Sequence, residues 1–191
     1  AIVANGDATC LVWVDGNEGS QKLMWKRSND SLGTFTPDTA LTSKFHSIDD
    51  ISLCCSDGCI ATAFEAKTSA DSPSIIYYLY SSDGKEWSSA YSVAQGDSPE
   101  LIGGEGCQYL GMNIFNEGQR HLSIASIIVN DDEINATILA SLPLASDDFD
   151  MFMTDDSINI AFGHEASNRI MFMRLAENGT IVTSPSTMCQ A

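Results

Sequence analysis

Short runs of apolar residues, each broken by one or two polar positions, follow one another along the whole of this chain. Cys10-Leu-Val-Trp-Val-Asp15, residues 60–64 and Ser74-Ile-Ile-Tyr-Tyr-Leu-Tyr80 are typical. β-Branched and aromatic side chains fill these runs, and Gly, Asp, Asn and Ser separate them, which is the pattern of strands and tight turns. No segment places apolar residues at the three-and-four spacing of an amphipathic helix. The pattern predicts an all-β protein.

The runs also recur. Cys10-Leu-Val-Trp-Val-Asp15 aligns with Cys59-Ile-Ala-Thr-Ala-Phe64, Cys107-Gln-Tyr-Leu-Gly-Met112 and Ser157-Ile-Asn-Ile-Ala-Phe162, starts that lie 49, 48 and 50 residues apart. Copies one and four continue in register, Gly16-Asn-Glu-Gly-Ser-Gln-Lys-Leu-Met-Trp-Lys-Arg27 against Gly163-His-Glu-Ala-Ser-Asn-Arg-Ile-Met-Phe-Met-Arg174. Each copy reads as a first apolar strand (50–55, 149–154), a second (60–64), a third (74–80) and a weaker fourth (90–93, 180–183). Four strands in roughly 45–50 residues is the size of one propeller blade. The expectation is a single repeat domain, a β-propeller of four four-stranded antiparallel blades covering 1–45, 46–95, 96–143 and 144–191. A β-sandwich would not predict the same pattern every 49 residues.

Copy two goes on with Ser81-Ser82-Asp83-Gly84-Lys85-Glu86-Trp87, and copy one with Ser28-Asn29-Asp30-Ser31-Leu32-Gly33-Thr34-Phe35. Both resemble the Asp box of the sialidase-like superfamily, Ser-x-Asp-x-Gly-x-Thr-Trp. Copy two is one residue short before its Trp, copy one places its Gly one position late, and around 130–135 and 177–180 the box has decayed. The resemblance implies a sialidase-like propeller in which Ser28, Asp30, Phe35, Ser81, Asp83, Gly84 and Trp87 are structural. A carboxylate and a hydroxyl can satisfy turn backbone groups, the Gly can take a positive φ, and the aromatic ring plugs the strands. Catalytic members clamp a substrate carboxylate with three arginines. Here Arg27, Arg120, Arg169 and Arg174 are the only arginines and no Arg-Ile-Pro opens the chain, so a non-catalytic member or fragment is expected, with no catalytic residues. Family propellers usually have six or more blades; four repeats imply a small closed ring or part of a larger assembly.

The same resemblance puts the loops between second and third strands on the ligand-binding rim, where every copy offers a glutamate: Glu18, Glu65, Glu117 and Glu165, with Asn17, Asn116 and His164 beside them. Hard carboxylate oxygens suit a hard cation or a basic ligand group, so such a mouth could hold Ca²⁺, although no cofactor is expected and no metal is assigned. The acidic clusters Asp131-Asp132-Glu133 and Asp147-Asp148-x-Asp150 lack the ligand spacing of a calcium loop and read as solvated loops. His164-Glu165 has no second His at the zinc-protease spacing, and Gly103-Gly104-Glu105-Gly106 reads as a turn. Trp13 and Trp25 read as core.

Charge narrows the partners. Nine Lys and Arg face 26 Asp and Glu, a formal net charge of −17, which repels nucleic acid and anionic headgroups; no run of 18 apolar residues inserts in a membrane. Six cysteines without zinc spacing predict disulfides and an oxidising compartment, with Cys55–Cys59 across a tight turn, Cys54–Cys107, and Cys10–Cys189. Sequons at Asn29, Asn135 and Asn178 agree with a secreted or cell-surface glycoprotein, and Ala1 is expected to follow a removed signal peptide or a longer preceding chain. The functional expectation is an extracellular recognition or adhesion module, lectin-like or protein-binding. The alternatives are a structural subunit or fragment assembling with other subunits, and a sialidase-like glycoside hydrolase.

Overall fold

The computed structural model describes residues 1–5, 8–28, 33–56, 58–116, 118–130, 133–143, 148–164 and 168–190, the side chains of Asn5, Asn116, His164 and Gln190 excepted. The described residues form strands and turns. β1 (Ile2–Asn5), β2 (Ala8–Asp15), β3 (Lys22–Ser28) and β4 (Thr39–Ala40) make a first sheet. A second runs through β5 (Ser47–Ser56), β6 (Cys59–Lys67), β7 (Ile75–Ser81), β8 (Tyr91–Gly103), β9 (Gln108–Asn116), β10 (Gln119–Asn130) and β11 (Glu133–Leu142). β12 (Phe149–Thr154), β13 (Ser157–His164), β14 (Arg169–Ala176) and β15 (Ile181–Gln190) make the third. Strands pair antiparallel in chain order, the economy expected when hairpin turns join them.

The sheets therefore have four, seven and four strands instead of four apiece. The difference lies in β8, 13 residues long where the repeat reading ends one copy and starts the next. Its first residues, Tyr91–Gln95, pair with β7, and the strand then stays extended to become the neighbour of β9. Gly96-Asp97-Ser98-Pro99 bends it without breaking it. Ser98 takes φ 54°, and Pro99 removes a donor from the ladder.

Two compact units divide within that strand, Ala1–Pro99 and Glu100–Ala191. In the first, β1 and β2 pack on β5, and Cys10, Val12, Leu23, Trp25, Ile60, Phe64 and Leu79 share one apolar cluster. Alternation explains the membership: Val12 faces Trp25 and Val14 faces Leu23 across β2 and β3, while Ile51 faces Phe64 and Cys55 faces Ile60 across β5 and β6. Phe64 is fully buried, and a side chain of that size contributes roughly 1.5–3 kcal/mol by leaving water. In the second unit Leu122, Ile124, Ile158, Ile160, Phe162, Met173 and Leu175 do the same work. There Gly111 on β9 has no side chain to hold Phe149 and Met151 of β12 away; a Cβ would meet both at 2.7 Å.

Trp25 is buried as expected, but Trp13 is only half-buried and lies under Lys26, whose Nζ is 5.4 Å from its ring centroid. Cys55 and Cys59 do not form the expected disulfide, and no disulfide joins any of the six cysteines. The register is the reason: Cys55 is opposite Ile60 and Cys59 is opposite Ser56, so the pleat turns the two thiols to opposite faces.

The turn after β7 is held by its carboxylate. Asp83 Oδ1 accepts from Ser81 Oγ at 3.2 Å and from the backbone N–H groups of Lys85 at 2.8 Å and Glu86 at 3.0 Å. These bonds favour the ionised form and pull the Asp83 pKa down. Trp87 closes the turn against Trp25, ring centroids 5.7 Å apart and edge-on. Arg27 of the first repeat donates from Nη1 to the Asp83 carbonyl at 2.8 Å, tying the first sheet to the second. In copy one Ser28 is fully buried and bridges Phe35, while Asn29 and Asp30 lie outside the described residues. Gly84 is the tight point: at φ +65°, an added Cβ would sit 3.0 Å from Arg27 Nη1 and 3.1 Å from Ile60 Cδ1. Gly84→Ala is expected to lower stability by roughly 2–3 kcal/mol. Gly58→Ala, at φ +80° with nothing within 4 Å, costs only the backbone part, about 1–2 kcal/mol. Urea unfolding of the two variants compares them, and equal losses would contradict the packing account.

Candidate functional site

At one end of the first unit, polar groups from five segments form a continuous edge. The β2–β3 turn starts it. Gly16, at φ +103°, lets the chain fold back so tightly that a Cβ would lie 2.5 Å from the Ser20 carbonyl oxygen. The turn presents Glu18, whose Oε1 is 3.2 Å from His46 Nε2, and Gly19 N–H donates to the His46 carbonyl at 2.6 Å. His46 N–H in turn donates to the Lys67 carbonyl at 2.8 Å, which fixes this turn to the end of β6. Gln21 Oε1 accepts from Ile48 N–H at 2.6 Å. The edge then continues to Asp49, directly opposite Glu65.

Glu65 is the buried member, 9% exposed. Its Oε1 accepts from Ser74 Oγ at 2.5 Å and its Oε2 from Ser98 N–H at 3.4 Å. Burial raises its pKa above the usual carboxylate range; the two hydrogen bonds offset part of that rise, and the Asp97 and Asp49 charges add to it. Ser98 Oγ donates to Asp97 Oδ1 at 3.1 Å. Glu65 thus joins the segment before β7 to the bend of β8, and the charges of Asp97 and Asp49 both act on it. Asp49 is exposed and Asp97 half-buried, so two carboxylates, Glu18 and His46 are presented on a backbone held from beneath.

Of the four glutamates expected on one rim, Glu18 and Glu65 lie among the described residues, in different settings. Glu18 is an exposed turn residue, whereas Glu65 belongs to strand β6 instead of a loop, within a run buried on both faces from Ile60 to Ala66. Glu117 and Glu165 lie outside the described residues, as do the side chains of Asn116 and His164. Among the described residues no group of three His, Cys, Asp or Glu is arranged to hold a metal ion. Asn135 is exposed on β11, and Asn178, also exposed, accepts from Thr180 N–H through Oδ1 at 3.0 Å.

Asp49, Asp97, Ser74 and Ser98 were not legible as site residues, although a signal exists. Asp49-Asp50, Asp97-Ser98 and Asp147-Asp148 recur at the repeat spacing, each at the start of a copy's first strand. Asp50 and Ser98, one repeat apart, both take positive φ, 36° and 54°, conformations most residues avoid. The backbone bends there in both copies.

Two of the arginines are engaged with protein acceptors. Arg27 donates to the Asp83 and Gly84 carbonyls, and Arg174 Nε donates to Asn159 Oδ1 at 3.3 Å.

The fold is similar to parts of sialidases and other carbohydrate-active β-propellers. It superposes on a Trypanosoma rangeli sialidase in complex with sialic acid over 96% of its length and 36% of that chain, with TM-score 0.63 at 10% identity. A polysaccharide lyase of family PL25, an ulvan lyase bound to an oligosaccharide, matches over 99% of this chain and 55% of its own, with TM-score 0.70 at 11% identity. The NanB sialidase of Streptococcus pneumoniae, as its K499G mutant, matches over 85% and 27%, with TM-score 0.57 at 20% identity. The chain thus spans about a third of the trypanosomal enzyme and about half of the lyase. No protein-family model matches it, and no curated protein matches it in sequence.

Glu65 yields a pH test. Its folded pKa is raised, so the penalty for burying its charge is absent below the unfolded carboxylate range, grows as pH rises from the unfolded value to the folded one, and is constant above that. Glu65→Gln keeps an acceptor for Ser74 and removes that penalty. The variant is expected to gain thermal stability relative to the parent at pH 7 and to lose that advantage near pH 4. A difference independent of pH would sink this account.

Proposed function

We propose that this chain is a carbohydrate-recognition module without hydrolytic activity, secreted or displayed at a cell surface, that binds neutral or amino sugars on the edge formed by Glu18, His46, Asp49 and Asp97. The observation that carries the reading is that edge itself: exposed Glu18 and Asp49 and half-buried Asp97, with a buried, hydrogen-bonded Glu65 beneath. Carboxylates accept two hydrogen bonds each and suit the paired hydroxyls of a sugar ring or the ammonium of an amino sugar. Anionic sugars fit it poorly. The chain carries −17 formal charges, and Arg27 and Arg174 are engaged with protein acceptors, so a carboxylate-bearing sugar such as the sialic acid bound by the trypanosomal sialidase would meet repulsion here.

The Ser81–Trp87 turn is read as an Asp box with a purely structural part. A glycosidase reading has one observation in its favour, the raised pKa of Glu65 next to two carboxylates, which is how a general acid is tuned. Both Glu65 oxygens, however, already accept from Ser74 and Ser98, and the side chain is buried beneath the edge. That favours a positioning part over proton transfer to a leaving group.

A glycan array, run with and without Ca²⁺, tests the proposal. Binding is expected to neutral or amino-sugar glycans, to persist without Ca²⁺, and to weaken by roughly tenfold or more in Asp49→Asn or Glu18→Gln, the loss of one charged hydrogen bond. Retention only of sialylated or uronate glycans would reverse the specificity argued here. Turnover of fluorogenic glycosides is expected to stay at background; turnover abolished by Glu65→Gln would establish the glycosidase instead.

A further inference from the structure

Four of the six cysteines lie in the first unit, and the pleat sorts them by face. Val3, Cys10 and Arg27 stand in one row across β1, β2 and β3. Cys55, Ile60 and Ser81 stand in one row across β5, β6 and β7. Both rows point into the same apolar cluster, which holds Val3, Cys10, Cys55 and Ile60 together, and β1 and β2 pack directly on β5. The rows converge at Gly84, where the space for a Cβ is lined by Arg27 from one row and Ile60 from the other. Cys54 and Cys59 share the opposite face, beside Tyr78. Of the cysteines on β5 and β6, Cys55 is therefore the one that faces the cluster holding Cys10.

We infer that Cys10 and Cys55 are a redox pair that closes to a disulfide between the first sheet and the second when the chain folds in an oxidising thiol–disulfide medium.

Electrostatics agree with that proximity. Burial pushes the Cys10 thiol up, the Arg27 guanidinium pulls it back, and the Cys55 sulfur pushes it up again. Cys10 is 1% exposed and Cys55 half-buried, so Cys55 meets the oxidant first. Its thiolate attacks one sulfur of a small-molecule disulfide such as glutathione disulfide and expels one glutathione thiolate. The Cys10 thiolate then attacks Cys55 Sγ in the mixed disulfide and expels the second. Two protein thiols are oxidised, one external disulfide is reduced to two thiols, and the two protein protons pass to the departing thiolates. The bond closes a loop of about 45 residues, long enough for a large effect on the unfolded chain.

Peptide mapping of the full chain refolded in a glutathione redox buffer tests this. Trypsin releases residues 1–22, with Cys10, and residues 45–67, with Cys54, Cys55 and Cys59. Without reductant the two peptides are expected as one linked species, and fragmentation is expected to place the bond at Cys55. The link should survive Cys54→Ser and Cys59→Ser and vanish in Cys55→Ser. The thermal midpoint of the oxidised parent should fall by roughly 5–10 °C on reduction, a shift absent from Cys10→Ser and Cys55→Ser. Alkylation of Cys10 after refolding, or its linkage to any other cysteine, would overturn the assignment, and the mapping of the parent protein decides it even if a variant fails to fold.

Discussion

A four-stranded antiparallel sheet has two faces and can bury neither by itself; each sheet here depends on a neighbour to cover it. Within the first unit this constraint selects nearly everything else. The face of β2 and β3 that carries Val12, Leu23 and Trp25 is laid against the face of β5 and β6 that carries Ile51, Ile60 and Phe64. Arg27 then reaches from one sheet to the turn carbonyls of the other, and Trp87 is pressed against Trp25. The polar edge with Glu18, His46 and Asp49 is formed where these strands end. Its geometry is a by-product of packing beneath it.

Much of the architecture could be read from alternation and repetition. The strand nature of each run followed from side-chain type, and the 49-residue spacing anticipated the recurrence of strands in groups. Continuity of β8 was not readable, because Gly96-Asp97-Ser98-Pro99 has the composition of a turn. It was instead held extended as a bend by neighbouring strands on both ends of its length. Tertiary pairing overrode local preference there. The disulfide expected between Cys55 and Cys59 failed for a comparable reason: sequence separation suggested closeness, while the hairpin register decided which face each sulfur occupies.

The candidate site was half legible. Glu18 and Glu65 could be picked from the repeat, but their roles could not, since β6 is buried on both faces as far as Ala66 while the turn leaves Glu18 in water. Asp49 and Asp97 were hidden because an aspartate before a strand has the look of an ordinary turn residue. Only the positive φ of Asp50 and Ser98 reveals that two copies bend alike at that position. Backbone conformation, not residue identity, was the missing information, and a pattern search over side-chain type cannot supply it.

All three indole rings, Trp13, Trp25 and Trp87, belong to the unit ending at Pro99, whereas the remainder of the chain has a single phenol, Tyr109, as its strongest near-ultraviolet chromophore. With Trp25 and Trp87 edge-to-face in the core, emission excited at the red edge reports on that half alone. Far-ultraviolet dichroism reports on both. The molecule therefore carries an intrinsic optical label that separates the melting of one half from that of the other, with no engineered probe.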